Sequence, residues 1–215
     1  MSGARAPVGG SFGTTRIEAL ADGIFAVAMT LLVLDVKLPV GEYYSTTHAL
    51  LVRLLSFEHA YAIYFVSFIV LGMFWVAHHA AFHYIRYVDR TLLWINLVFL
   101  FVITSVPFGT DLLGSQNALT FPYLYYGSKV LVLCGILIGQ LAYLRRHPEL
   151  AQPSLTGTVA RQIVRRTAIF ALVPVLSMVA VFYNTRLALY LYFLLPVVHF
   201  LPGRTDTSDE EDSPG

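Results

Sequence analysis

The feature that constrains this chain most is an uncharged apolar run bracketed by two carboxylates. Residues Ile24–Leu34 carry no charge, and Asp22 and Asp35 stand on either side. The wider stretch Arg16–Leu38, RIEALADGIFAVAMTLLVLDVKL, is long enough to cross a bilayer, since a helix spans the hydrocarbon core in about 20 mostly apolar residues. It does so only if Asp22 lies near one end or faces protein, and an ionisable residue in such a place points to function. At helical spacing Val27, Leu31 and Leu34 share one face, with Thr30 beside them. Ala19, Gly23 and Ala26 form a ridge of small residues, which lets helix backbones approach closely in lipid. The helix is therefore expected to pack rather than to face lipid all round. A Val/Leu stripe alone ordinarily marks core or lipid-facing surface, so its meaning rests on the residues around it.

Composition supports the membrane reading. The chain is 57% hydrophobic and 13% charged, with a mean hydropathy of +0.67, whereas soluble domains run at about 25% charged. An all-α integral membrane protein with one membrane domain is expected, with the lipid bilayer as its surroundings. The net charge of +1 says nothing about nucleic acid, but no basic stripe with interleaved aromatics appears, so no nucleic-acid partner is expected. The single Cys134 rules out an intrachain disulfide and reads as a small core residue. Residues 1–15 are polar and hold no signal-peptide core, so the first apolar segment is expected to be a retained span.

Taken in order, residues 1–14 are expected to be disordered, residues 15–202 to form a six-helix membrane domain, and the acidic residues 203–215 to form a disordered tail. The first helix is expected over 15–38, ended by Pro39-Val40-Gly41. Thr14 or Thr15 is placed to cap it, with Glu18 as the acidic partner of a capping box. Residues 42–57 should hold a short interfacial helix. Later spans are expected over 58–84, 91–113, 122–144, 167–183 and 187–201, with a polar loop over 145–166. Pro107 should kink or weaken the end of the third span. Lys129 is expected to snorkel toward the interface. His79 and His83 have metal-binding spacing, but no Glu or Cys accompanies them, so no metal is expected and interhelical hydrogen bonding is the better reading.

Six spans place both termini on one side. The basic residues gather on that side, Arg16, Arg86, Arg90, Arg145, Arg146, Arg161, Arg165 and Arg166 among them. By the positive-inside rule the termini are cytoplasmic. This topology puts Arg16, Asp22, His78, His79, Trp94 and Asn96 in one layer of the inner half. Charges there persist only if paired. Asp22 has Arg16 as one partner and His78 or His79 as the alternative.

These residues resemble a known family. The helix at Arg16–Val36, with FWVAHHAAF at Phe74–Phe82 and NLVFLF…PF at Asn96–Phe108, is similar to the transmembrane protein 175 family of lysosomal and bacterial potassium channels. The family signature is Arg, three residues, then Phe-Ser-Asp. Arg16 and Asp22 match it, while Leu20 and Ala21 replace the Phe and Ser. The resemblance covers roughly residues 14–110. It implies a homotetramer in a bacterial plasma membrane, with the first helix of each subunit lining a central pore for K⁺. The family has no TVGYG carbonyl filter, and this sequence has none. The implied constriction is Val27, the hydroxyl layer Thr30, and the later apolar rings Leu31 and Leu34. Arg16 and Asp22 would hold a polar network with His78 or His79, Trp94 and Asn96.

The physical reading agrees. A fourfold ring of Val or Leu is a dewetting barrier, and a ring of threonine oxygens offers dipoles in place of hydration water. Any of Val27, Leu31 or Leu34 would serve as the narrowest point. Asp22 and Asp35 would favour monovalent cations if they face the lumen, and Asp35 is the candidate pore-mouth charge. No cofactor and no catalytic residue is expected. A secondary transporter is the alternative, although no internal repeat or broken midplane helix is evident. An intramembrane enzyme built on Asp22 and His78 or His79 lacks a nucleophile motif.

Overall fold

The computed structural model describes residues 13–36 and 44–196. The expected disordered termini, apart from Gly13 and Thr14, lie outside the described residues, as does Pro39-Val40-Gly41. Eight α-helices are described: α1 (Thr14–Leu31), α2 (Thr47–Leu55), α3 (Glu58–His83), α4 (Arg90–Thr104), α5 (Val106–Ser115), α6 (Thr120–Arg146), α7 (Gly157–Ala180) and α8 (Thr185–Tyr190). Among the described residues five segments are long and apolar enough to cross a membrane: 14–34, 58–83, 90–115, 120–146 and 157–180. The expected sixth span is seen only at its start, as α8, a 3₁₀ turn over Leu191–Phe193 and helix to residue 196.

Each boundary that departs from expectation has a local cause. No capping box starts α1. Gly13 is the cap residue without a side-chain bond, and Arg16 N bonds its carbonyl at 3.2 Å. At the other end α1 tightens into a 3₁₀ turn over Leu32–Asp35 and stops short of Leu38. Pro107 lacks the N–H that would bond the carbonyl of Ile103, and the third span breaks at Ser105, which separates α4 from α5. Residues 157–166 are helix instead of loop. Thr156 Oγ1 accepts from Val159 N, and α7 starts there, carrying Arg161, Arg165 and Arg166 on its first turns. Lys129 does not snorkel. Its Nζ donates to Ser105 Oγ and lies 4.5 Å from the Tyr125 ring centroid, beside the α4–α5 break.

The core runs between α1, α3, α4, α5, α6 and α7 and includes Phe25, Leu71, Phe74, Phe99, Ile103 and Leu133. A smaller cluster of Ile17, Phe82, Ile85, Val88, Leu92, Leu144 and Leu150 closes the arginine-rich end. There the 84–88 and 148–152 loops are tied, with Arg86 N to Leu150 O and Gln152 N to Tyr84 O both at 2.8 Å. Asp89 braces the same end twice. Its Oδ1 accepts from Leu92 N at 2.8 Å, capping α4, and its Oδ2 accepts from the Tyr143 hydroxyl at 2.6 Å.

Only 28% of the apolar window of the first span is buried inside the subunit. Large side chains elsewhere, such as Phe101 on α4 and Val179 on α7, stand outside. Exposed apolar area on this scale places the protein in a membrane.

Candidate functional site

The two faces of α1 differ in kind. Ile17, Ala21, Phe25 and Ala28, continued by Leu32, pack inward against α3, α4 and α5. On the other face Leu20, Val27, Leu31 and Leu34 are 47%, 58%, 43% and 55% exposed, and Thr30 and Gly23 are exposed between them. All four residues expected at a constriction therefore share the face that the subunit itself leaves uncovered. In a 3₁₀ turn side chains three apart eclipse, so the tightening at Leu32 stacks Leu34 over Leu31. The small ridge is uncovered too. A Cβ added at Gly23 would meet nothing within 4 Å, so no helix of the same subunit packs there.

Thr30 has its hydroxyl proton committed. Oγ1 donates to the carbonyls of Ala26 and Val27, each at 2.9 Å. The oxygen lone pairs are left for whatever lies outside the helix, and a ring of such oxygens would present acceptors only.

The polar residues form two separate groups. Asp22 accepts a hydrogen bond from the Trp75 indole N–H at 2.8 Å, and Trp75 stacks on His79 with ring centroids 6.2 Å apart. All three are exposed in the subunit. His78 is buried on an adjoining face of α3, 2.7 Å through Nε2 from Asn96 Oδ1. A carbonyl oxygen only accepts, so the imidazole donates from Nε2. His78 also stacks on Phe82 and Phe99 at 4.5 and 5.3 Å, and Phe25 of α1 leans on it at 6.1 Å. The division follows from helix geometry, because consecutive residues point about 100° apart.

Three expectations are corrected here. Asp22 pairs with neither Arg16 nor a histidine; Trp75 is its partner. Arg16 is exposed and forms no ion pair with Asp22. Trp94 is 58% exposed on the outer face of α4, away from both groups within the subunit. The side chain of Asp35, the expected mouth charge, lies outside the described residues. His79 and His83 share a face, and among the described residues no group of three potential metal ligands occurs.

Trp75 and Phe25 were missed by sequence reasoning. Trp75 had a signal: it stands one turn before His79, on the same face, and an indole is a donor only, which a membrane carboxylate needs. Phe25 had none beyond its place in an apolar run.

The family profile described as "Endosomal/lysosomal potassium channel TMEM175" matches residues 16–107, the segment that holds α1, both polar groups and the α4–α5 break. A Streptomyces collinus protein named as a potassium channel is 34% identical over 189 residues, covering 86% of this chain and 90% of its own. A Chryseobacterium protein, also named as a potassium channel, is 25% identical over 192 residues, covering 88% and 93%. Among solved structures, the lysosomal potassium-selective channel TMEM175 homolog of Chamaesiphon minutus superposes with a TM-score of 0.70 at 26% identity, over 86% of this chain and 94% of that one. The fold, the α1 motif and a relative similar along nearly its whole length agree: the chain belongs to the TMEM175 family.

Proposed function

We propose that this protein is a potassium channel in which four copies assemble around an axis lined by α1. The observation that carries the reading is the uncovered face of α1, where Val27, Thr30, Leu31 and Leu34 fall together. Lipid would accept the Val/Leu face, as it accepts Phe101 and Val179; the Thr30 hydroxyl and the small-residue ridge beside it favour a helix of another copy instead. Fourfold symmetry turns that face into rings. The relatives' naming as potassium channels supports the choice of ion.

Conduction then rests on desolvation. A ring of Val27 or Leu31 side chains offers an ion no ligand, so crossing it strips water. K⁺ loses water at a lower cost than Na⁺ and passes preferentially. Thr30 oxygens, between Val27 and Leu31, return part of the lost coordination. This division of labour needs no backbone-carbonyl filter, and the ion passes without covalent chemistry or cofactor. Asp22, held by Trp75 on the open side of the subunit, adds negative potential near one end of α1. In the assembly the Asp22–Trp75–His79 seam meets the neighbouring subunit. A sixth span completing α8 and termini on the cytoplasmic side of a bacterial plasma membrane are part of the same proposal.

The test is the reversal potential of the reconstituted protein under opposed K⁺ and Na⁺ gradients, with a proton-gradient arm and light-scattering mass in detergent. A tetramer with K⁺-preferring passive current is expected, and Val27→Asn should wet the ring and raise Na⁺ leak. A lone subunit, flux coupled to a second gradient, or an unchanged reversal potential in Val27→Asn would overturn the assignment of Val27, and the first two the channel itself.

A further inference from the structure

The chain at α8 has a direction, and three contacts set it. Ser177 Oγ donates to Ala188 O at 2.8 Å, Tyr192 packs on Tyr126 of α6 with ring centroids 5.5 Å apart, and Phe193 stacks on Phe65 of α3 at 5.9 Å. From Thr185 the chain therefore runs back along α7, toward the end where α7 begins. That end is basic. Arg86, Arg90, Arg145, Arg146, Arg161 and Arg165 are exposed there, and none has a carboxylate partner among the described residues. Two carboxylates of the same end are turned elsewhere: Asp89 to Leu92 N and the Tyr143 hydroxyl, Glu149 to His147. Arg86 lies over the Tyr87 ring at 5.1 Å, and Arg161 Nε donates to Gly157 O at 3.3 Å, contacts that leave both charges uncompensated. α6 is about 40 Å long against a hydrocarbon core of about 30 Å, so its final arginines and the loops beyond them stand at or past the headgroups. In the sequence, residues 206–212, DTSDEED, carry five carboxylates and no basic group.

We propose that the acidic segment Asp206–Asp212 docks on this arginine surface of its own subunit. The proposal rests on the proposed sixth span, which carries the chain on in the direction that Tyr192 and Phe193 give it. Reach allows the contact. Arg146 stands about 30 Å along α6 from Tyr126, the partner of Tyr192, and the chain from Tyr192 to Asp206 extends to about 45 Å. Arg161 and Arg165 belong to α7, the helix that the returning chain follows, and are met first. A block of like charges repels itself and favours a surface of opposite sign. Exposed ion pairs are weak one at a time, but a tethered segment acts at an effective concentration in roughly the millimolar range, so several weak pairs suffice. Anionic lipid headgroups are the competing negative charge. They are confined to the bilayer plane, whereas Arg86 lies on a loop beyond the helix ends, where a tethered segment reaches and a headgroup does not.

The experiment uses the full chain with Ser208→Cys, modified by a benzophenone maleimide; Cys134 is 2% exposed and stays unreacted. In phosphatidylcholine nanodiscs, photo-crosslinks are expected on the peptides holding Arg86 and Arg90 and those holding Arg161 and Arg165. Replacing all five carboxylates together, Asp206→Asn, Asp209→Asn, Glu210→Gln, Glu211→Gln and Asp212→Asn, should lower the yield about tenfold, the combined scale of a few exposed ion pairs. Salt at roughly 1 M, where the Debye length falls to about 3 Å, should do the same. Arg161→Gln with Arg165→Gln, at exposed positions, should remove the crosslinks to the start of α7 and keep those to the 84–90 loop. In nanodiscs containing phosphatidylglycerol most of the yield should remain. Equal crosslinking by the neutral segment would overturn the proposal, and so would its loss in phosphatidylglycerol, which would give the arginines to the headgroups. Labelling Ser208→Cys and Ser154→Cys in proteoliposomes with a membrane-impermeant maleimide separates the two layers of the reasoning. Both sites are expected on one side. Opposite sides would overturn the sixth span and the docking with it; one side without crosslinks would overturn the docking alone.

Discussion

The His78–Asn96 bond is where a small change should have the clearest consequence. The two side chains are 3% and 1% exposed, and they join α3 to α4 directly behind Phe25 of the first helix. Asn96→Leu strands the Nε2–H of His78 in a dry interior, which costs about 1–3 kcal/mol. One consideration lowers this. Asn96 Nδ2 already lacks a partner, so leucine also removes a group that was uncompensated. A second bound comes from interhelical hydrogen bonds in membranes, which average about 0.6 kcal/mol and reach about 1.7. The expected loss for Asn96→Leu is therefore about 1–1.5 kcal/mol. His78→Phe leaves both ends of the amide unsatisfied and should cost slightly more, although the ring still fits between Phe82 and Phe99. The double variant removes donor and acceptor together and should be more stable than either single one. Unfolding titrations of all four proteins in bicelles give the coupling directly. Additivity within about 0.5 kcal/mol, with the double variant the least stable, would refute the bond as the link between α3 and α4.

Trp75→Phe keeps an aromatic ring beside His79 but removes the donor to Asp22; by light scattering it should weaken the proposed tetramer as Asp22→Ala does, and the double variant should be no worse. Asp89→Ala loses a cap and a tyrosine hydrogen bond and should cost about 2 kcal/mol of thermal stability, whereas Asp89→Asn, which still caps, should recover about half. Phe25→Ala opens a cavity at a site 1% exposed and should cost about 3–5 kcal/mol, with looser cation selectivity in the surviving channels as the second readout.

The long spans were legible because their limits are chemical: α3 and α6 run from polar starts to polar ends, and their expected bounds fall within a residue or two of those observed. The start of α7 was not, because Arg161, Arg165 and Arg166 read as loop. Long basic side chains leave a helix by their tips, so charge there marks the water level and not the helix end. Pro107 was correctly read as a weak point, since a missing N–H acts locally. Lys129 was misread because its partner, Ser105, exists as a partner only once that break is made. The polar network shows the same limit. That His78, Asn96 and Asp22 matter was visible as polar residues in apolar runs. Which of them meet depends on helix rotation, and pattern alone could not choose between His78 and His79 or find Trp75 in place of Trp94.

Rotation is also what links the buried half of α1 to its open half. A helix turned by one residue shifts each side chain by about 100°. Were α1 so turned, Phe25 would leave the pocket between His78 and Phe99, and Ala26 or Ala28 would take the place of Val27. The aromatic packing resists this, because Phe25 is seated on two rings at 6.1 and 6.2 Å and His78 cannot follow it while bonded to Asn96. The residues that set which side chains face away from the subunit are therefore not on that face at all. Ion selectivity in the proposed channel depends on Val27, Thr30 and Leu31, but their register is held by Phe25, His78 and Asn96. Substitutions at these buried positions should change permeation without touching an ion.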